Sequence, residues 1–193
     1  MPHISYRNRE IAFKLVYFGP GWSGKTTNVT FIHRSLPPSR RGEMVMLDTD
    51  QERTLFFDFL PVELGEIEGY SVRFNIYTVP GQLYYEATRR LILDGADGVA
   101  YVADSQPSRL EADIVGFQLL RENLESYGLS WRSFPLVLQY NKRDLPEVIP
   151  LGILERELGL EGIPVFEAVA VAGNGVLETL RALSGRVVER FQM

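Results

Sequence analysis

The chain has 193 residues, 45% hydrophobic and 23% charged, the size and balance of a single globular domain. A disordered tail, a fibrous repeat and a membrane-embedded chain are thereby excluded. Twenty-five acidic residues against 20 basic ones leave a net charge of -5, which gives no overall basic footprint for nucleic acid. The lack of cysteine removes disulfides and thiolate metal sites. Met1-Pro2-His3 shows no secretory pattern, and no apolar run approaches the ~20 residues of a membrane span. The expectation is a soluble cytoplasmic protein without its own membrane anchor.

The predicted elements alternate between short β-type runs and longer helical ones. Ile11 to Phe18 is apolar except for Lys14 and stops at a glycine cluster. A helix is expected from Gly24 to Leu36, broken by Pro37-Pro38. Leu55 to Leu60 and Tyr70 to Val79, with Gly69 between them, read as an antiparallel hairpin. Val99 to Ala103 follows as a strand. A helix from about Arg109 to Tyr127 then places Leu110, Ile114, Phe117, Leu120 and Leu124 at spacings of 3 or 4. Leu136 to Tyr140 and Val165 to Ala170 are short buried-type strands, and Val176 to Phe191 is a closing amphipathic helix. Strands alternating with helices imply an α/β fold, a mostly parallel sheet covered on both faces with one antiparallel edge strand.

Directly after the first strand runs Gly19-Pro20-Gly21-Trp22-Ser23-Gly24-Lys25-Thr26, a match to G-x-x-x-x-G-K-[ST] in its strand–loop–helix context. Glycines let backbone N–H groups approach phosphate oxygens, and the helix start adds its positive dipole end. Lys25 supplies a point charge for the outer phosphates, and the Thr26 hydroxyl can ligate Mg²⁺. Ser23 and Thr27 complete the phosphate-binding set. A side chain at Gly21 should obstruct a hydrolysis geometry. Trp22 is unusual in so tight a loop; it reads either as a partly exposed hydrophobe at the tip or as a nucleotide-stacking residue.

About 115 residues later the strand Leu136 to Tyr140 runs into Asn141-Lys142-Arg143-Asp144. An aspartate here can accept two hydrogen bonds from guanine N1–H and the 2-amino group, which adenine cannot offer. Asn141 would tie this loop to the phosphate loop, and the Lys142 stem would lie along the base. The two histidines, His3 and His33, lack metal-ligand companions.

With these two motifs the sequence resembles the Ras-like small GTPases over nearly its whole length, and more specifically the bacterial MglA-type polarity switches of gliding motility. The likeness is carried by Arg53-Thr54-Leu55-Phe56-Phe57-Asp58-Phe59-Leu60-Pro61, Thr78-Val79-Pro80-Gly81-Gln82 and Asn141-Lys142-Arg143-Asp144-Leu145-Pro146. It implies one three-layer P-loop GTPase domain over residues 1–193, with a six-stranded sheet and two nucleotide-sensing switches. It also implies that the N–H of Ala170, in Ala168-Val169-Ala170, meets guanine O6. Thr54 is placed where a switch hydroxyl meets Mg²⁺ and the γ-phosphate, and Gly81 where an N–H meets the γ-phosphate.

The usual Asp-x-x-Gly of the second switch has Thr78 in place of its aspartate. Asp58 is the candidate substitute, because Thr54, Phe56 and Asp58 share one side of an extended strand. It is either an edge residue facing water or a residue near the metal. Gln82 stands where the family orients the attacking water, and Arg53 could supply transition-state charge from the same chain. The resemblance implies that both sit out of line until a partner shifts the second strand. Leu83, Tyr84, Tyr85, Arg89 and Arg90 read as a partner surface or as packing against the sheet. The implied partners are a Roadblock/LC7-fold activating dimer of the MglB type and effectors of the GTP state, acting on a monomeric domain. Two other readings remain: a GTP-dependent scaffold with negligible hydrolysis, and a phosphate-loop kinase.

Overall fold

The computed structural model describes residues 2–47, 57–81 and 85–192. Strand β1 (His3–Ser5) turns back on β2 (Glu10–Phe18), which feeds helix α1 (Lys25–Ser35). Then come β3 (Val45–Leu47), β4 (Phe57–Ile67), β5 (Tyr70–Thr78), α2 (Glu86–Leu93), β6 (Gly98–Asp104) and α3 (Leu110–Ser126). The chain closes with β7 (Leu136–Asn141), α4 (Ile153–Leu158), β8 (Val165–Glu167) and α5 (Val176–Gln192).

All strands share one sheet in the order β3-β4-β5-β2-β6-β7-β8, parallel from β5 to β8 and antiparallel at β3 and β4. The α/β architecture is the expected one; the strand count is not. Among the described residues eight strands are present where about six were expected, because β1 and β3 are three-residue pieces too short to carry a periodic signal. β1 pairs with residues 10–12 of β2, whereas β6 pairs with residues 15–18. β1 therefore covers the stretch of that edge which β6 leaves open.

Local chemistry sets the boundaries. Helix α1 stops at Leu36, extended at ψ 143, because the following proline disfavours the α region. The β4–β5 turn is the pair Glu68-Gly69 at φ 50 and 79, the left-handed pair that matches strand twist. Pro61 is tolerated inside β4 because its carbonyl faces the outer edge, where it accepts the Gly42 N–H at 2.9 Å; its nitrogen faces the same way and breaks no bond to β5. β8 ends at Glu167, not Ala170, because the chain curls into a loop closed by the Val169–Asn174 bridge.

The alternating strand faces build two cores. Val16, Phe18, Val99, Tyr101, Leu136 and Leu138 pack against α2, α3 and α4. Phe13, Leu15, Ala100, Val102 and Val137 pack against α1 and α5. Each fully buried Val, Leu or Phe among them contributes about 1.5–3 kcal/mol, which fixes the sheet as the frame for the loops at its carboxyl edge. No described helix is long and apolar enough to cross a membrane.

Candidate functional site

The loops after β2, β6, β7 and β8 meet at the carboxyl edge of the sheet, where open α/β sheets bind ligands. Two glycines let the phosphate loop pack there. A Cβ on Gly19 would lie 2.2 Å from the Val102 carbonyl oxygen, and one on Gly24 would lie 2.1 Å from Asn141 Nδ2. Gly24 also has φ 99, a left-handed value that starts α1. Trp22 adopts φ 68 and is 81% exposed at the loop tip.

Lys25 is buried, and its Nζ donates to the carbonyls of Gly19 (3.0 Å) and Pro20 (2.7 Å). Among the described residues no carboxylate lies within ion-pair distance of it. Burial lowers its pKa to about 7; Asp58 and Asp113 pull it back up, and Arg89 and Arg109 press it further down. A desolvated ammonium held only by neutral oxygens fits a phosphate polyanion as its missing counter-charge.

For Asp58 the structure removes the first of the two readings. It is 8% exposed and does not face water. Thr26 Oγ1 donates to its carboxylate at 2.5 Å and Thr78 Oγ1 at 2.8 Å, while its own N–H donates to Thr78 Oγ1. The register Phe59 opposite Tyr77 puts residues 58 and 78 across from each other, so a carboxylate absent from β5 is supplied by β4. Among the described residues no cluster of three or more His, Asp or Glu could hold a metal alone. One carboxylate with hydroxyls beside a phosphate loop fits Mg²⁺, which keeps several waters and shares its shell with phosphates. Thr26 and Asp58 are the described residues that would hold it. Thr27 sits half-buried in the same turn.

Asn141 joins three loops. Its Nδ2 donates to the Ser23 carbonyl at 2.7 Å, and its Oδ1 accepts the Ala170 N–H at 2.9 Å. The Ala170 N–H, expected at guanine O6, thus donates to Asn141 in this structure. The Val169 N–H is engaged too, by the Asn174 carbonyl at 3.0 Å. Lys142, at φ 65, is pinned by its Nζ to Asp104 at 2.6 Å. Asp144 is exposed, a carboxylate open to an incoming donor.

Arg53, Thr54 and Gln82, with Leu83 and Tyr84, lie outside the described residues. Gly81 packs on the phosphate loop, where a Cβ would come within 2.2 Å of Gly21 N and 2.5 Å of Pro20 C. Of the expected partner-facing residues, Arg90 is exposed and pairs with Glu86 at 3.0 Å. Arg89 is packed inward instead, closer to the second of the two readings. It is 3% exposed and lines a cleft of about 590 Å³ with Gly21, Gly81 and Arg109, because α2 turns this side inward toward α3.

Sequence reasoning missed Asp104 and Arg109. Arg109, at the start of α3, donates to the Gly21 carbonyl at 2.7 Å, and its Nε lies 3.9 Å from Asp104. Asp104 ends β6; the rule that strand carboxyl ends line the site was the signal that could have found it.

Compared with known proteins, the chain is 47% identical over 192 residues to the mutual gliding-motility protein MglA of Myxococcus xanthus, covering all of this chain and 98% of that protein. It belongs to the Ras-like small GTPases, close to MglA. This GTPase is also 27% identical to human ADP-ribosylation factor-like protein 4C, over 71% of its own length and 72% of that protein. No protein-family model matches it. Membership implies guanine nucleotide and Mg²⁺ as ligands in general, the ligand classes that the Lys25 cradle and the Thr26–Asp58 pair fit.

Proposed function

We propose that this GTPase is a cytoplasmic, single-domain switch that binds GTP, hydrolyses it slowly alone, and controls bacterial cell polarity or motility through partners that read its nucleotide state. The supporting observation is the Asn141 bridge, which gathers the phosphate loop, the base motif and the 168–170 loop into one site. In this reading the phosphate-loop amides and Lys25 hold the polyphosphate, Asp144 accepts the guanine edge, and Lys142 lies along the base with its head fixed by Asp104. Bound Mg²⁺ would neutralise charge on the outer phosphates. Thr26, Asp58 and Thr54 are the residues proposed to hold it.

Phosphoryl transfer needs positioning and charge compensation more than covalent help. Gln82 orients the attacking water, Arg53 neutralises charge spreading onto the transferred oxygens, and Gly81 N–H marks whether the γ-phosphate is present. The activating partner is proposed to be a Roadblock/LC7-fold protein of the MglB type. The scaffold alternative drew its support from Thr78, and Asp58 places a carboxylate beside that residue. Single-turnover hydrolysis with such an activator tests the reading. Arg53→Ala and Gln82→Leu should each bind GTP like the wild type yet lose stimulated turnover, by on the order of 10³ or more for Arg53. Stimulated turnover surviving in both variants would remove the assigned roles.

A further inference from the structure

Beneath the Asn141 bridge lies a second polar connection that belongs to no nucleotide motif. Asn28 of α1, Gln139 of β7 and Thr179 of α5 are each fully buried, amid the apolar side chains of the α1–α5 core. Asn28 and Gln139 form a reciprocal amide pair: Asn28 Nδ2 donates to Gln139 Oε1 at 2.9 Å, and Gln139 Nε2 donates to Asn28 Oδ1 at 3.0 Å. The second Gln139 proton goes to Thr179 Oγ1 at 2.9 Å, and Thr179 donates to the Gly175 carbonyl at 2.6 Å. The second Asn28 amide proton goes to the Gly24 carbonyl at 2.9 Å. Every donor proton of the three side chains is thus used.

An apolar trio of similar volume would pack in this core without needing partners, so hydrophobic burial does not require these residues. What a fully satisfied polar network adds is a fixed relative placement, since any slip leaves a buried amide unpaired. The ends of this network are informative. Gly24 is where the phosphate loop becomes α1. Gln139 lies two residues before Asn141 on the same face of β7. Gly175 closes the loop that carries Ala170. The three segments joined by Asn141 are therefore joined again, one layer deeper.

We infer that Asn28, Gln139 and Thr179 are positioning residues that lock the phosphate-binding and base-binding halves of the site into register and so set how long a nucleotide stays bound. The inference rests on the nucleotide-binding function proposed above. With the brace intact, a nucleotide held at one end meets the other end already in place. With the brace loosened, each half can let go separately.

The test is release of a fluorescent GDP analogue from the full chain, beside the thermal midpoint of the nucleotide-free protein. Asn28→Leu with Gln139→Leu replaces both amides together and strands neither. The double variant should release GDP roughly tenfold faster while its nucleotide-free midpoint stays within a few degrees of the wild type. Release unchanged within about twofold, or faster only in step with a fallen midpoint, overturns the inference. Should the double variant fail to fold, Thr179→Val removes one hydroxyl at constant shape. It should release GDP roughly threefold faster, and an unchanged rate overturns the inference. A wild-type chain that takes up no GDP at all rejects the nucleotide reading itself, and the brace falls with it. Binding with unaltered release rejects the brace alone.

Discussion

Lys25 shows how a single side chain couples burial to ligand charge. Its ammonium is desolvated and its pKa lowered to about 7, so above neutrality the nucleotide-free protein holds it mostly uncharged. A polyphosphate favours the charged form and must raise that pKa. The sign follows: nucleotide binding takes up a proton, by up to roughly 0.9 at pH 8 and progressively less as the pH falls through 7. Calorimetric titration in buffers of different ionisation enthalpy reads this uptake directly. An apparent enthalpy that does not depend on the buffer at pH 8 would show that Lys25 is already charged without nucleotide. At this scale the sequence was legible wherever a motif carries its own chemistry, as at Lys25 and Asn141. It was not where a partner comes from another loop: the Ala170 amide donates to Asn141, and no local pattern announces that.

At the scale of elements, the β4–β5 hairpin moves a carboxylate from one strand to its neighbour. The Glu68-Gly69 turn sets the pairing next to it, a bulge between Glu63 and Glu66 shifts that pairing by one residue, and the shifted register brings Asp58 opposite Thr78. Asp58→Thr should weaken Mg²⁺-dependent nucleotide retention by roughly 10–100-fold, the usual cost of losing a residue that orients a metal's ligands. Asp58→Thr combined with Thr78→Asp returns the carboxylate to β5 and should recover most of that loss. Retention measured against Mg²⁺ concentration decides it, and a double variant as poor as the single one would contradict the cross-strand account. The sequence offered Asp58 as one of two alternatives because strand alternation gives a face but not the partner across the ladder. Element length explains the other gaps. The 17-residue α3 declares itself through apolar residues spaced by 3 or 4, whereas α2 and α4 have 8 and 6 residues, too few for a period to emerge. Neither was predicted as an element, so the inward turn of Arg89 on α2 stood only as one of two alternatives.

For the whole molecule, the parallel strands β2, β6, β7 and β8 deliver four loops to one edge, and two layers of polar bridging hold the loops after β2, β7 and β8 together. Asn141 ties them at the surface of the site, and the Asn28–Gln139–Thr179 brace ties them within the core. This arrangement suits the function proposed above, in which one ligand spans both ends, a phosphate tail at Lys25 and a purine ring at Asp144. Equilibrium titration of the purified protein with GDP and with ADP, each with Mg²⁺, tests that claim most directly. Binding of GDP at least ~100-fold tighter than ADP is the predicted result, because adenine leaves the Asp144 carboxylate without donors. Equal affinity for the two nucleotides, or no binding of either, would contradict the account.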